Sequence, residues 1–385
     1  MSYCILPFVN LEARTDGTIS PCCIMQDQAP ENLANGDKLI DVWQGEWLNK
    51  YRKDFLRGIK PEACKNCWKE EKAGIQSKRL RELHYFEVEH DLKNLEQPTP
   101  TPISLDLKLG NICNSKCRIC TSFASSQWAK EEIAYNSQDE ERVKLFNRRG
   151  AWPKTNEIFW DEIDHWVPYI KKLEFFGGEP LMIERHYDIL EKCIELGVAK
   201  DISISYNTNG SIFPENKVHL WQQFKNVHIF FSIDDINDRF NYIRHPGNFP
   251  DVIQNVGNFL QLEGNFEFGI FQTISILNIV TMKELTTFME KFFDIPIHYN
   301  MVFQPEHMSP KVLPKHIKKT ITEMYSGEQP DYVTRTLNFM NGEQYSTEKW
   351  NQFMHITKFG DEYRDEDFKT VFPKFYNIIK DEWNR

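Results

Sequence analysis

From residue 103 to about residue 310 the chain alternates strand-like with helix-like segments, and this alternation constrains the fold more than any other feature. The strand candidates are ISLDLKL, KKLEFFGG, DISISYNTNG, VHIFFSID, FEFGIFQTIS and IPIHYNMVF. Between them lie helical stretches such as IERHYDILEKCIELG, FPDVIQNVGNFLQLEG and TMKELTTFMEKFF. Strands alternating with helices argue for parallel βαβ units and an α/β class. In such architectures ligands sit at the C-terminal ends of the strands, and several of those ends here carry polar or sulfur-bearing residues.

The first strand candidate runs into GNICNSKCRICTS, which places Cys113, Cys117 and Cys120 within eight residues. Three thiolates on one short loop can hold three irons of a 4Fe–4S cube and leave the fourth iron open to a small molecule. A site built only to pass electrons more often supplies four protein ligands. The bland alternatives are a chance spacing or a zinc site. The chain has nine cysteines, an odd number in close groups, which fits metal ligation in a reducing compartment better than a disulfide framework.

The second strand ends in Gly177-Gly178-Glu179-Pro180, the third in Asn207-Thr208-Asn209-Gly210, and the fourth in Ser232-Ile233-Asp234-Asp235. Paired glycines allow close backbone approach to a ligand, although a tight turn with an acid in the first helical turn reads the same way. Asn-Gly is also an ordinary turn signal, and Asp234 or Asp235 could simply cap a helix. Ser232 and Asp234 share one face under period-two alternation. Arg244 follows in FNYIRHP and could clamp a carboxylate; the alternative is a surface salt bridge. Gln272, Thr273 and Asn278 are weaker candidates, and His307 is the histidine placed near the end of the last strand.

Taken together, these motifs resemble the radical S-adenosylmethionine (radical SAM) superfamily. The resemblance implies a partial (β/α)6 TIM-like barrel. It implies a 4Fe–4S cluster on Cys113, Cys117 and Cys120 that binds SAM, cleaves it reductively, and releases a 5′-deoxyadenosyl radical that abstracts hydrogen from a substrate. It further implies SAM contacts from Gly177, Gly178, Glu179, Asn207, Ser232, Asp234 and Arg244. One departure is Ile119, where family members often place an aromatic residue beside the adenine.

Residues 1–85 hold five of the nine cysteines: Cys4, Cys22, Cys23, Cys64 and Cys67. Cys64-x2-Cys67 is a two-ligand metal hook. Adjacent cysteines diverge, so four ligands from five is the natural count: Cys4, one of the pair with Cys22 preferred, Cys64 and Cys67. Pro7, Asn32-Leu33, Asp41-Val42-Trp43, Trp47 and Arg57 around them resemble the auxiliary-cluster modules called SPASM and twitch, here placed before the barrel. The resemblance implies a second iron-sulfur cluster; a structural zinc with four thiolates is the alternative. Cys193, in YDILEKCIELG beside Ile189 and Leu190, reads as core.

The expected organisation is therefore a small N-terminal cysteine-rich module over residues 1–85, a core barrel over 103–310, and a helical extension over 311–385. A chain of 385 residues can bury a substantial core, and its net charge of -10 argues against a broad nucleic-acid surface. No apolar run approaches the ~18 residues of a membrane span, and the start MSYCILPFVNLEART lacks a secretory pattern. A cytoplasmic enzyme is the expectation. The family implies a peptide or protein substrate, with small molecules or RNA as alternatives, and an electron donor such as flavodoxin or ferredoxin. A non-enzymatic zinc-binding protein is the competing reading.

Overall fold

Strand β6 (Asn226–Ser232) shows how the sequence builds the sheet. Val227, Ile229 and Phe231 are buried, whereas Asn226, His228, Phe230 and Ser232 between them are only partly covered. Period-two alternation sends the first set outward onto the surrounding helices and the second onto the inner face of the sheet. A computed structural model describes residues 2–72, 76–342 and 346–384. It contains one eight-stranded sheet: β1 (Asn10–Ala13), β2 (Ile19–Ser20), β3 (Ser104–Lys108), β4 (Lys172–Phe176), β5 (Ser203–Thr208), β6, β7 (Phe266–Ile274) and β8 (Ile297–Met301). The strands lie in the order β2-β1-β3-β4-β5-β6-β7-β8, and β3 to β8 pair parallel in chain order. These are the six strands expected from the sequence, wound as successive βα units.

The N-terminal module contributes to the same sheet. Strand β1 pairs parallel with β3, and β2 pairs antiparallel with β1. Register therefore aligns Glu12, Asp106, Glu174, Ser205, His228 and Glu267 in one row across the inner face. Over the β3–β4 side this row is covered by the helix Lys78–His90. Lys78 lies 3.7 Å from Asp106, and Lys172 lies 3.0 Å from Glu82 and 3.2 Å from Glu174. Lys108 pairs with Glu12 and, at 3.2 Å, with Asp106. Opposite charges interleaved in this way make burial of so many ionised groups tolerable. Across β6–β8 the same face is more open: Phe230 and Phe271 are half-buried and His298 is exposed.

The long segment between β3 and β4 forms helices against the outer face of the barrel, including Trp152–Thr155 and Glu157–Trp166. Trp152, Phe159 and Trp160 pack edge to face at 4.8 and 4.9 Å between ring centroids; such aromatic pairs contribute ~0.5–1.5 kcal/mol beyond burial alone. Cys193 is fully buried in this core. The C-terminal region is helical, with Lys315–Met324, Asp331–Asn341, Thr347–Arg364 and Pro373–Trp383. Its apolar faces share a second core with Ile274, Ile276, Leu277 and Val302 at the ends of β7 and β8. Ile119 packs against this second core, so the position where the family often has an aromatic residue serves here to dock the extension. Among the described residues no helix is long and apolar enough to cross a membrane.

Candidate functional site: two groups of cysteines

The three-cysteine loop leaves β3 through Gly110, whose φ is +81° and whose Cβ, if present, would lie 2.2 Å from the Gly150 carbonyl oxygen. Asn111 then staples the loop: its side chain donates to the Ser122 carbonyl at 3.0 Å, and its carbonyl accepts from the Ser126 N–H at 2.8 Å. Cys113 is buried, and Cys117 and Cys120 are half-buried. The Ser115 N–H points at the Cys113 sulfur at 3.4 Å, and Trp128 Nε1 donates to the Cys117 carbonyl at 3.0 Å. Burial pushes all three thiols up, Cys113 to about 12, while the Arg244 charge opposes this at Cys117. Thiols held this way become good ligands once a cation replaces their protons.

The neighbouring strand ends meet this loop. The Glu179 N–H donates to the Ile112 carbonyl at 2.8 Å. A Cβ on Gly178 would sit 2.2 Å from that same oxygen, and one on Gly177 would sit 2.7 Å from Lys108 Cβ. The glycines thus allow the turn to lie against the cysteine loop. The Glu179 carboxylate is fully buried. It accepts from the Leu181 N–H at 3.2 Å, from Thr208 Oγ1 at 2.8 Å and from the Asn209 N–H at 2.8 Å. Burial raises its pKa to about 7 against the pull of those donors. The carboxylate thus ties the end of β5 to the turn after β4 through three of its acceptor positions. Asn209 in turn donates to Asn114 Oδ1 at 2.7 Å, tying β5 to the cysteine loop.

Asp234 is held in a similar way. Its Oδ1 accepts from the Thr273 N–H at 2.9 Å and its Oδ2 from Arg244 Nε at 2.8 Å. It is completely buried and stands behind Arg244 as that residue's support. Neither Asp234 nor Asp235 caps the following helix, Asn237–Ile243. Gln272 and Asn278 brace the Asp234 carbonyl at 3.0 and 2.8 Å and are structural. Arg244 itself lines a cavity of about 150 Å³ with Asn114, Ser115, Asn209 and Ser211. Asn207 lies on the inner face of β5 with its Oδ1 buried and without a partner, and Ser232 is half-buried at the end of β6. His307 sits in the short turn Glu306–Met308; burial, then the Lys349 charge, lowers its pKa to about 4.

The sequence reading missed the support behind the loop. The Arg118 N–H donates to the Ile243 carbonyl, and the Lys116 N–H to the His245 carbonyl, each at 2.7 Å. The Arg118 guanidinium reaches Asp361 at 2.9 Å and also pairs with Glu366, while lying 3.8 Å from the Tyr242 ring centroid. Lys116 reaches Glu131 at 2.8 Å, and Glu131 also receives Arg364 at 2.9 Å. The one local signal was a pair of cations inside the cysteine motif; Asp361 and Glu366, the partners of Arg118, lie more than 200 residues away, as does Arg364, which shares Glu131 with Lys116.

In the N-terminal module Cys4, Cys22, Cys64 and Cys67 line one cavity with Leu6, Met25 and Phe55, and Arg79 also borders it. Burial raises all four thiols, and the proximity of like groups adds to it for Cys4, Cys22 and Cys64. Cys23 turns away: it is exposed, with Lys78 Nζ 3.3 Å from its sulfur. Four sulfur donors in an apolar pocket with one cation at its border fit an anionic iron-sulfur cluster, and the three-cysteine loop beside Arg244 fits one with an open corner. Among the described residues no three His, Cys, Asp or Glu side chains converge on a single-ion spacing.

Comparison with known proteins agrees with this geometry. Residues 107–292 match the Radical SAM superfamily, and residues 4–68 match SPASM, an iron-sulfur cluster-binding domain. A curated relative, GTP 3′,8-cyclase of Desulforamulus reducens, is 30% identical over 139 residues, which are 34% of this chain and 39% of that protein. The chain thus spans about two fifths of that relative's length. Among solved structures, native anSMEcpe with bound AdoMet is 18% identical with a TM-score of 0.39, over 66% of this chain and 65% of that one. Streptococcus suis SuiB bound to S-adenosylmethionine is 15% identical with a TM-score of 0.37, over 84% and 67%. The two family matches lie on the two cysteine groups and together span well over half of the residues: the chain belongs to the radical SAM superfamily and carries a SPASM domain ahead of its barrel.

Proposed function

We propose that this radical SAM enzyme uses its two cysteine groups for different tasks, SAM cleavage at the first and electron relay at the second. The observation that carries the reading is the first loop: three thiols and no fourth, next to a polar cavity bordered by Arg244 and Asn209. A 4Fe–4S cluster on Cys113, Cys117 and Cys120, once bound, supplies the electron that splits SAM into methionine and the 5′-deoxyadenosyl radical. Arg244, oriented through Nε by Asp234, presents the rest of its guanidinium to the cavity and suits the SAM carboxylate. Backbone groups of Gly177 and Gly178 and the remaining acceptor capacity of the Glu179 carboxylate are candidates for the ammonium. Asn207 Oδ1 is an acceptor awaiting a donor, and Ser232 suits a ribose hydroxyl.

Cys4, Cys22, Cys64 and Cys67 are proposed as ligands of the auxiliary cluster. The substrate is proposed to lie on the open β6–β8 half of the inner face and to be a peptide or protein. What supports this class is the SPASM match in front of a radical SAM barrel. A small molecule is the second reading, favoured by the partial match to a protein named for GTP. A flavodoxin or ferredoxin would deliver the electron, in the reducing setting of the cytoplasm.

The substrate class is testable through the hydrogen that moves. The reconstituted enzyme would be given SAM, dithionite and either a perdeuterated peptide pool or deuterated GTP, and 5′-deoxyadenosine examined by mass spectrometry. Deuterium from the peptide pool supports the first reading. Deuterium from GTP alone would replace it with the second.

A further inference from the structure

The helix Thr347–Arg364 ends on a buried charge that the fold only partly uses. The Arg364 side chain is 0% exposed. Its Nε donates to both oxygens of Glu131 at 2.9 and 3.0 Å, and its guanidinium lies 4.8 Å from the Trp128 ring centroid. Both Nη atoms are buried without a hydrogen-bond partner. Leaving a buried donor unsatisfied is costly, and more so when the group is charged. Two such donors on one guanidinium therefore ask for an acceptor.

The surroundings indicate where that acceptor belongs. Trp128, beneath the guanidinium, donates from Nε1 to the Cys117 carbonyl at 3.0 Å. Arg118, on the same loop, is different: Asp361 and Glu366 together neutralise it. Around Arg364 the balance is positive, because Glu131 is shared with Lys116 at 2.8 Å. Neither family match, 4–68 or 107–292, reaches this helix.

We propose that Arg364 is a charge-tuning and positioning residue of the first cysteine site, with its Nη groups donating to sulfur at the corner held by Cys117. A fixed cation and N–H···S hydrogen bonds stabilise the more negative, reduced state of a cluster and so raise its potential. The C-terminal extension then completes the electrostatics of the SAM site besides bracing its loop. The proposal rests on the assignment of Cys113, Cys117 and Cys120 as cluster ligands.

The test is a redox titration, followed by electron paramagnetic resonance, of the full-length protein loaded with iron and sulfide. Wild type would be compared with Arg364→Met, Arg364→Lys and Glu131→Gln, with no substrate present. Arg364→Met should shift one cluster's midpoint to more negative values and leave the other unmoved. Arg364→Lys should restore much of the difference, and Glu131→Gln should shift the same cluster the opposite way. If Arg364→Met fails to fold, Glu131→Gln still decides through the sign of its shift. Unchanged midpoints, or equal shifts in both clusters, would overturn the proposal. A Cys113→Ala control separates the two layers: if it keeps both cluster signals, the ligand assignment itself is wrong.

Discussion

The two cysteine groups solve opposite problems. The N-terminal four line one apolar cavity built within about 80 residues of sequence, with Cys4 and Cys67 buried and Cys22 and Cys64 half-buried. The barrel three lie on a loop whose sulfurs are partly accessible, next to a polar cavity. On the proposed assignment the first group supplies four thiolate ligands from its own module. The second lacks a ligand, and its loop is held in shape by distant parts of the chain: Gly178 and Glu179 from β4, Asn209 from β5, and Asp361 and Glu366 from the extension. An open coordination site has to be supported by its surroundings because the metal does not close it, as catalytic metal sites generally show.

The sharpest way to break this comparison is to remove one thiol from each group. Cys113→Ala should abolish 5′-deoxyadenosine formation while keeping the auxiliary iron, whereas Cys64→Ala should spare much of the SAM cleavage. Equal loss of cleavage in both would undo the division of labour. Next in size is the adjacent pair. Cys22→Ser should lose about half of the ~8 irons expected for two cubanes, and Cys23→Ser should lose none, as iron analysis would show.

The bracing of the loop predicts a stability effect. Arg118→Met leaves Asp361 and Glu366 without their cation, and breaking a buried pair in this way costs about 3–5 kcal/mol. Denaturant unfolding of the apoprotein measures it; a loss below ~1 kcal/mol would mean that the extension merely rests on the loop. The smallest effect concerns Glu179. Its folded pKa of about 7 lies above its unfolded value because burial outweighs its donors. The native state therefore holds the extra proton. Its contribution to stability is fully present below about pH 4.3 and is lost as pH rises through about 7. Apoprotein unfolding midpoints between pH 5 and 8 should fall for wild type and fall less for Glu179→Gln.

The parts of this molecule legible in the sequence are those set by local patterning. Six strands show themselves through alternation, and Cys193 through helical spacing. That Cys22 and Cys23 would not face the same site followed from side-chain divergence, and the two residues do part, Cys22 lining the cavity and Cys23 lying beside Lys78. Strand β1 was not legible. All four of its residues are buried, Asn10 and Glu12 among them, so no alternation marks it. Nor was the helix Lys78–His90 legible as a cover for the sheet, because the charges it sends onto the inner face meet partners on strands distant in sequence. The strand-end acids Glu179 and Asp234 were visible in the sequence, but the backbone and side-chain donors that hold their carboxylates in place are ones only the fold brings near. Arg118 and Arg364 depend on contacts across more than 200 residues, which no local pattern encodes.

The most direct test of the central claim is a single anaerobic experiment: reconstitution with iron and sulfide, reduction by dithionite, addition of SAM, and parallel assays of 5′-deoxyadenosine, iron and zinc. The account predicts deoxyadenosine from a brown protein carrying ~8 irons per chain. A colourless protein that holds zinc and yields no deoxyadenosine would contradict it.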